Sequence, residues 1–490
     1  MYDTELLFIF ISFFITALVC LISKNRKLIE ASSLIASIIA LAGSVSISFK
    51  VARFGVYAPL TFFSVGSLDA VIMLIIAFVG LAATVYSIEY LRQETAKNII
   101  GFSGVSRLRS RVREYFILLN LFMAMMFLAI TVSNPIFAWI FIEATTLSTA
   151  FLISFYNKPS AIEGAWKYLI INSIGILLAF FGTLLYFSSP DSLMGNGFVT
   201  WQSLGVNAMN LDPLVIKFAF IFIFIGYGTK VGFAPMHTWK PDAYSKAPAP
   251  IGALFSGALL PVAFAVILKF KMITDAAVGP SFSQNLFLAF GLFSMIIAAA
   301  IIFVSRNYKR LLAYSSIENA GIMAIGFGFG GLGIFAAMIH MIYHSFIKSA
   351  LFFLSGNFLL KYHSAKIASI KGALSAIPVT AMFFLIGFFA ITGAPPFGIF
   401  FTKIFILSAG IKQHPLIVIM VIVSMVIIFI GFLKHVMEML FGQKDPGMKA
   451  EKESMWLLVP PIALIVLTLF LSFYIPPFLR ILLDSIVLHY

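Results

Sequence analysis

Charged residues and cysteine are scarce in this chain. Only 11% of its 490 residues are charged and Cys20 is its single cysteine, whereas a soluble domain has about a quarter of its residues charged. One cysteine excludes an intrachain disulfide, a cysteine-ligated zinc or iron–sulfur site and a dithiol redox motif. Hydrophobic residues, by contrast, make up 61% of the sequence. We therefore predict an all-α integral membrane protein that forms one membrane domain over residues 1–490.

Long apolar runs follow one another along the chain with short polar gaps. A transmembrane helix needs ~20 mostly apolar residues, and the runs predict about fourteen such helices if 372–411 is one interrupted helix. The first run lacks a basic leader and a small-residue cleavage site, so we expect it to be retained. The predicted segments are approximately 4–23, 28–49, 68–91, 114–132, 134–156, 161–187, 212–233, 247–268, 284–305, 311–328, 333–360, 372–411, 415–433 and 454–476.

Lysine and arginine give the chain a net charge of +14. Most of them lie in the loops after the odd-numbered segments, and these residue types concentrate on the cytoplasmic side of a membrane. Both chain termini are therefore expected on the outer side. This arrangement assigns Lys240 to a cytoplasmic loop, and it assigns Lys269 and Lys271 to an outer loop. The positive charge thus reflects topology, and no nucleic-acid partner is expected.

A few charged residues remain inside the predicted segments. A lysine or aspartate at a helix centre costs at least about 2.5–3.5 kcal/mol, so each one needs a reason. Lys217 lies near a segment end and can extend to the membrane interface. Glu143 lies deep in the apolar run WIFIEATTL, where a carboxylate must stay neutral or find a cation. The lysines inside segments are Lys167, Lys217, Lys230, Lys348 and Lys403.

Three titratable residues recur with helical spacing in one segment. His340, His344 and Lys348 lie at positions i, i+4 and i+8, which places them along one helix face. A proton could step along such a row, because histidine titrates near neutral pH. A zinc site is a poor alternative, since the His340–His344 stretch HMIYH lacks the glutamate of a zincin motif.

Lys230 and Lys403 each lie beside a glycine- and proline-rich interruption, GYGTKVGFAPMHTWKPD and ITGAPPFGIFFTKIF. Proline removes a backbone donor and clashes with the preceding turn, so both helices should break there. Broken backbone at membrane depth is tolerated where it faces protein or a cavity. Both segments are therefore candidate ion sites.

The two interruptions are 160 residues apart when aligned through their Ala-Pro dipeptides. Paired broken helices indicate inverted repeats with ion sites at the breaks. We predict two inverted five-helix repeats, helices 4–8 within 111–270 and helices 9–13 within 280–435, in which helices 7 and 12 are broken. Three N-terminal helices in 1–110 precede the repeats, and a C-terminal helix in 450–490 follows them.

Several segments resemble the antiporter-like subunits shared by respiratory complex I, Mrp-type sodium/proton antiporters and group 4 membrane-bound hydrogenases. They are GYGTKVGFAPMHTWKPDAYSKAPAP, YSSIENAG, HMIYHSFIKSALFFLSGN and GAPPFGIFFTK, and the resemblance covers roughly 110–410. VSNPIFAWIFIEATTLSTAFL and EGAWKYLIINSIGILLAFFGT look most like component F of the hydrogenase-4 and formate hydrogenlyase type. The resemblance implies a proton- or sodium-translocating subunit of a redox-driven complex in a prokaryotic cytoplasmic membrane.

The resemblance also implies roles for individual residues. Glu143 matches the fifth-helix glutamate that pairs with the seventh-helix lysine, here Lys230. Lys167 matches a sixth-helix lysine close to Glu143, and Lys403 matches the twelfth-helix lysine or glutamate near the exit. The implied ion-translocation set is Glu143, Lys167, Lys230, His340, His344, Lys348 and Lys403, with His237, Asp242, Ser256 and Asn319 as secondary positions.

Two positions depart from the family pattern. Pro261 follows SGALL where the family often has a lysine or another polar residue, and Asn319 stands where some members have a histidine. Both interrupt the expected polar axis unless water or Ser256 bridges the gap. Two alternatives stay open: a non-transporting structural subunit, which Pro261 favours, and a stand-alone or Mrp-type cation/proton antiporter. Copurification of the chain with iron–sulfur and nickel–iron subunits would indicate a redox-complex subunit rather than an antiporter.

No redox chemistry is expected within this chain, because it has no haem or iron–sulfur ligand set. The glycines of GFGFGGLG at 326–333 join two membrane segments and lack the strand and lysine of a phosphate-binding loop. We expect neither a catalytic residue nor a metal site. Iron–sulfur clusters, and in a hydrogenase a nickel–iron centre, would belong to partner subunits. The expected partners are other membrane subunits, a peripheral redox arm, the lipid bilayer, and protons or Na⁺.

Overall fold

Helices account for nearly the whole described structure. The computed structural model describes residues 4–97, 105–188, 199–442 and 451–489, with the side chains of 105–109 left out. The first eleven helices are α1 (Glu5–Ile22), α2 (Arg26–Phe54), α3 (Ser67–Ala96), α4 (Val105–Thr131), α5 (Pro135–Ile153), α6 (Pro159–Phe187), α7 (Trp201–Val206), α8 (Pro213–Val231), α9 (Trp239–Lys246), α10 (Ala249–Leu254) and α11 (Leu260–Val278).

The second half of the chain continues in the same way. Its helices are α12 (Pro280–Ile302), α13 (Tyr308–Phe329), α14 (Leu332–Tyr362), α15 (Ala373–Ala376), α16 (Pro378–Thr392), α17 (Gly398–Gly410), α18 (Pro415–Phe441), α19 (Met455–Phe473) and α20 (Pro477–His489). Short 3₁₀ turns cover Ser154–Tyr156, Ala208–Asn210, Met236–Thr238 and Ile367–Ser369, and one π-helical turn covers Phe255–Leu259. The strands β1 (Tyr57–Leu60) and β2 (Phe63–Val65) form one antiparallel hairpin.

Twelve helical stretches in the described residues are long and apolar enough to cross a membrane. Two shorter apolar helices, α16 and α17, follow one another across an interruption. The predicted all-α membrane class is therefore confirmed. The total of fourteen spans, the domain boundaries and the inverted relation of the two repeats stay predictions.

A polar capping residue followed by proline begins two of the helices, α5 and α8. The Asn134 side chain accepts hydrogen bonds from the backbone N–H groups of Ile136 and Phe137, at 2.8 and 3.2 Å. Asp212 caps α8 in the same way. Such oxygens satisfy N–H groups that have no partner within the helix. The proline after each cap has no N–H group, which costs nothing there because an N–H group at the first helical position would lack a partner within the helix. These local signals fix where α5 and α8 enter the bundle.

Both predicted interruptions contain a glycine with left-handed backbone. Gly232 follows α8 with a φ of +84°, and Gly393 follows α16 with a φ of +90°. Only glycine adopts this conformation without a steric cost, which makes it the usual residue just past a helix end. The chain then resumes as α9 and as α17. Lys230 lies in the last turn before the first break, and Lys403 lies on the helix after the second.

Helix α14 occupies the centre of the fold. It has 31 residues and packs against α3, α10, α13, α16, α17 and α19. Its residues from Ala336 to Phe358 are buried. A helix that is enclosed on all sides can carry titratable groups on a face that lipid does not reach.

The expected placement of three lysines is wrong. Lys269 and Lys271 lie inside α11, which continues to Val278, and both are buried. Lys269 pairs with Asp69 at 2.7 Å, and Lys271 pairs with Asp275. Lys240, assigned to a cytoplasmic loop, is fully buried in α9. Helix α11 continues past its apolar run because Asp69 and Asp275 receive the two lysines. Lys240 is buried for a different reason, since the chain resumes as α9 after the break at Gly232.

An acidic residue just before α19 joins three parts of the chain. Glu451 pairs with Lys97 at 2.6 Å and with Lys361 at 3.2 Å. Partial burial raises the pKa of this carboxyl group, but hydrogen bonds and charge from the two lysines lower it more, so its pKa lies below the ordinary value. The segment that leads into α19 is therefore held by an ionised carboxylate.

Candidate ion-translocation site

The first cluster forms around Lys230, at the end of α8. Its ammonium group donates hydrogen bonds to the Thr146 hydroxyl at 2.7 Å and to the Tyr168 hydroxyl at 2.9 Å. The Thr146 hydroxyl donates to one carboxylate oxygen of Glu143 at 3.1 Å, and Ser173 donates to the other at 3.0 Å. The Thr146 hydroxyl thus lies between the two charged groups.

This arrangement couples charge without joining the two charged groups directly. A hydroxyl accepts and donates at once, so Thr146 can receive from Lys230 while it donates to Glu143. Lys230 is 1% exposed. At that burial its charge depends on nearby acceptors, since removal from water disfavours a cation and a neighbouring carboxylate favours it. Glu143 is only partly buried.

Lys167 lies apart from this cluster. Its ammonium group contacts Glu163 at 2.6 Å and Asp242 at 3.3 Å, and its side chain is 47% exposed. The expectation that Lys167 lies close to Glu143 is therefore not met. Ser173, which does bind Glu143, lies six positions further along α6, a distance of about 9 Å at 1.5 Å per residue. The structure instead brings together two predicted residues, Lys167 and Asp242.

The second cluster forms around Lys403, on α17. Its ammonium group contacts a carboxylate oxygen of Glu318 at 2.8 Å, and both side chains are almost completely buried. It also donates to the backbone carbonyl of Thr392 at 3.2 Å. The sequence reasoning missed Glu318, although it lies within the quoted segment YSSIENAG. The sequence does carry a signal for Glu318, because it is a charged residue inside an apolar segment, as Glu143 is.

Asn319 connects the second cluster to the histidine row. Its side-chain amide donates to Glu318 at 2.6 Å, and its oxygen lies 3.0 Å from Nε2 of His340. Nδ1 of His340 lies 2.9 Å from the Thr402 hydroxyl. Because an amide oxygen only accepts, Nε2 is the nitrogen that carries hydrogen here. An unbroken hydrogen-bonded path therefore runs from Lys403 through Glu318 and Asn319 to His340.

The remaining members of the row are buried with few fixed partners. Among the described residues, neither ring nitrogen of His344 has a hydrogen-bond partner, and the same holds for the Ser345 hydroxyl. Lys348 donates to the backbone carbonyl of Leu312 at 2.6 Å. Buried polar groups normally have a protein or water partner. His344 thus lies at the least constrained point of the row, between His340 and Lys348.

Two secondary residues lie where the halves of the chain meet. Ser256, in the π-helical turn, shares a hydrogen bond of 2.8 Å with Ser316 of α13. His237 lies in the turn after the first break, with its ring 6.3 Å from that of Tyr314. Pro261 is the second residue of α11, two positions after the π-helical turn ends at Leu259. Ser256 therefore bridges two helices beside the position where the sequence indicated a gap.

Comparisons with known proteins show the family of this chain. The sequence model of a family described as NADH:quinone oxidoreductase/Mrp antiporter, transmembrane, matches residues 132–429. The chain belongs to this family. It is 36% identical, over 422 residues, to a protein named hydrogenase-4 component F homolog from Methylacidiphilum infernorum (isolate V4); the match covers 86% of this chain and 87% of that protein.

Two solved structures share the fold of this antiporter-family chain. One is from the membrane-bound sulfane sulfur reductase, an archaeal respiratory membrane complex, with a TM-score of 0.84 and 21% identity over 99% of both chains. The other is from the Mrp complex of Dietzia sp. DQ12-45-1b, with a TM-score of 0.84 and 17% identity over 99% of this chain and 96% of that one.

Family membership confirms the resemblance that the sequence carried. The chain is an antiporter-like, multi-pass membrane subunit of the complex I, group 4 hydrogenase and Mrp family. Its relatives are membrane subunits of multi-subunit complexes. Within the described residues no group of three or more His, Cys, Asp or Glu side chains could hold a metal ion. The roles of individual residues stay predictions.

Proposed function

We propose that this antiporter-family chain moves protons, or sodium ions, across the membrane as a subunit of a redox-driven complex. A group 4 [NiFe] hydrogenase, a formate hydrogenlyase or a complex I-like enzyme fits best. The observation that carries the proposal is the pair of buried lysines at the two helix breaks. Lys230 is coupled to Glu143 through Thr146, and Lys403 is paired with Glu318. Buried charges in a membrane are costly and mark ion pathways.

The first cluster supplies a switch for proton release. While Glu143 is ionised and accepts from Thr146, it favours the charged form of Lys230. If Glu143 turns towards another cation or takes up a proton, desolvation dominates and Lys230 loses its proton. Glu143 is only partly buried, which leaves room for such a cation to approach it. A charge change next to this subunit would therefore reach Lys230.

The second cluster supplies the discharge step. A proton that reaches the row of His340, His344 and Lys348 adds positive charge beside the Lys403 cluster. Asn319 transmits it, since its amide contacts both His340 and Glu318. Glu318 then interacts with two cations instead of one, so it stabilises the Lys403 ammonium group less. Lys403 therefore releases a proton towards the exit side.

Partner subunits would provide the driving reaction. The protein at 36% identity is named as a homolog of a hydrogenase component, and this chain has one cysteine for redox ligation. We infer that iron–sulfur clusters, and in a hydrogenase a nickel–iron centre, belong to a peripheral arm. The chain would lie in a prokaryotic cytoplasmic membrane with both termini outside, as the distribution of basic loops indicates.

The proposal is tested in vesicles that contain the purified complex. Redox-driven proton or sodium uptake is measured for the wild type, Glu143→Gln and Lys230→Ala. Lys217→Ala is the matched control, because Lys217 lies in the same helix α8 but is exposed. We expect uptake to disappear in the first two variants, with assembly intact, and to persist in the control. Unchanged uptake in both would leave a structural subunit as the better account.

A further inference from the structure

Lys240 is a buried lysine to which no role has been assigned above. It lies in the first turn of α9, just after the first helix break, and is fully buried. Its ammonium group donates to the backbone carbonyl of Val231 at 2.7 Å and lies 5.6 Å from the centre of the Tyr244 ring. Among the described residues, no carboxylate pairs with it. A buried ammonium group without a counter-charge is costly and calls for a reason.

Lys403 has the same geometry at the second break. Val231 is the residue before Gly232, and the Lys403 ammonium likewise donates to Thr392, the residue before Gly393. Each lysine stem lies against its glycine, since a Cβ at Gly232 would be 2.7 Å from Cδ of Lys240 and one at Gly393 would be 3.2 Å from Cδ of Lys403. Lys240 is thus the structural counterpart of Lys403 in the first half.

The two counterparts differ in their ionic partners. Lys403 has the Glu318 carboxylate, whereas the partners of Lys240 among the described residues are the Val231 carbonyl and the Tyr244 ring. A carbonyl oxygen can accept from a neutral amine as well as from an ammonium group. Lys240 can therefore remain in place in either protonation state, which suits a residue that exchanges a proton.

Lys240 also lies near both the first cluster and the histidine row. Its carbonyl partner, Val231, follows Lys230 directly in the chain. Lys240 is also close enough to His344 and Lys348 of the central helix for their positive charges to repel one another. His344 is the histidine whose ring nitrogens lack partners among the described residues. Lys240 is thus close to Lys230 along the backbone and within electrostatic range of the row.

We propose that Lys240 is a further proton-carrying residue that connects the Lys230 cluster with the histidine row. The inference rests on the translocation proposed above. In each cycle the proton released from Nζ of Lys230 would pass through intervening water to the neutral amine of Lys240. Lys240 would then pass a proton to the His344 imidazole and return to its neutral form. The steps move protons only, and no bond other than N–H and O–H changes.

The decisive variant is Lys240→Met, which keeps the length of the stem and removes the titratable group. We expect ion uptake per redox turnover to fall on the order of 100-fold, the scale of losing a positioned proton-transfer group. The matched control is Lys309→Met. Lys309 is also buried and donates to a backbone carbonyl, that of Ala247 at 3.2 Å. We expect this control to retain uptake.

Lys240→Arg separates proton carrying from a structural charge. Arginine keeps the positive charge and its donors but does not release a proton in proteins. We expect Lys240→Arg to assemble and to lose uptake. Normal uptake in Lys240→Arg would overturn the inference, and so would normal uptake in Lys240→Met. If the methionine variant does not assemble, the arginine variant decides.

Glu143→Gln, measured in the same preparation, distinguishes this inference from the proposed function. If Glu143→Gln is inactive while the Lys240 variants retain uptake, only the role of Lys240 is wrong. If Glu143→Gln and Lys240→Met both retain uptake, the translocation proposal itself is wrong.

Discussion

The ion pair of Lys403 with Glu318 gives a quantitative prediction. The two groups lie 2.8 Å apart, and their side chains are 5% and 2% exposed. Removing one partner of a buried pair costs about 3–5 kcal/mol, because it leaves an uncompensated buried charge. Glu318→Gln should therefore destabilise the subunit by that amount if Lys403 stays charged, and by a smaller amount if Lys403 releases its proton. Either response abolishes the paired state of Lys403.

The double variant Glu318→Gln/Lys403→Met tests the cause. It removes both charges, so it should be more stable than Glu318→Gln alone, and ion uptake should stay absent in both. Apparent unfolding temperatures of the purified complex and uptake in vesicles provide the two measurements. Glu163→Gln is the control, since its pair with Lys167 is exposed and exposed pairs contribute little. Wild-type stability in Glu318→Gln would refute the reasoning, and so would wild-type uptake.

Three further predictions concern single residues. Thr146→Val removes the hydroxyl between Lys230 and Glu143, so vesicle uptake should fall strongly with assembly preserved; normal uptake would show that the link is dispensable. Asn319→Leu should likewise reduce uptake, because it cuts the path between the second cluster and the histidine row. The lowered pKa of Glu451 adds stability that is present above the unfolded-state pKa and lost as pH falls through the folded-state pKa. The wild type should therefore exceed Glu451→Gln in thermal stability at pH 7 and lose that advantage in acid.

The sequence was sufficient for features with local causes. A charged residue inside an apolar run and a glycine–proline interruption are both visible in a window of about 20 residues. For that reason the sequence alone predicts Lys230, Lys403 and the two helix breaks. The row on α14 follows from helical periodicity alone. The membrane class follows from composition, and family membership confirms the implied antiporter-like role.

Features that depend on tertiary contacts were missed. The link from Lys230 to Glu143 runs through Thr146, a residue type that carries no distinctive signal in a membrane helix. The sequence places Lys240 in a loop because it follows the predicted segment 212–233, whereas the backbone turn at Gly232 folds it inward. The sequence places Lys269 in a loop because the predicted segment ends at residue 268, and its buried partner, Asp69, comes from a distant helix that the local sequence does not reveal.

The most direct measurement is the number of ions taken up per electron by vesicles that contain the intact complex, compared between the wild type, Lys230→Met and Lys403→Met. The two lysines lie at the two helix breaks, each in its own cluster. If ions pass through both clusters in series, either substitution should lower the ratio by the contribution of this whole subunit, and both should give the same value. A wild-type ratio in either variant would contradict the account.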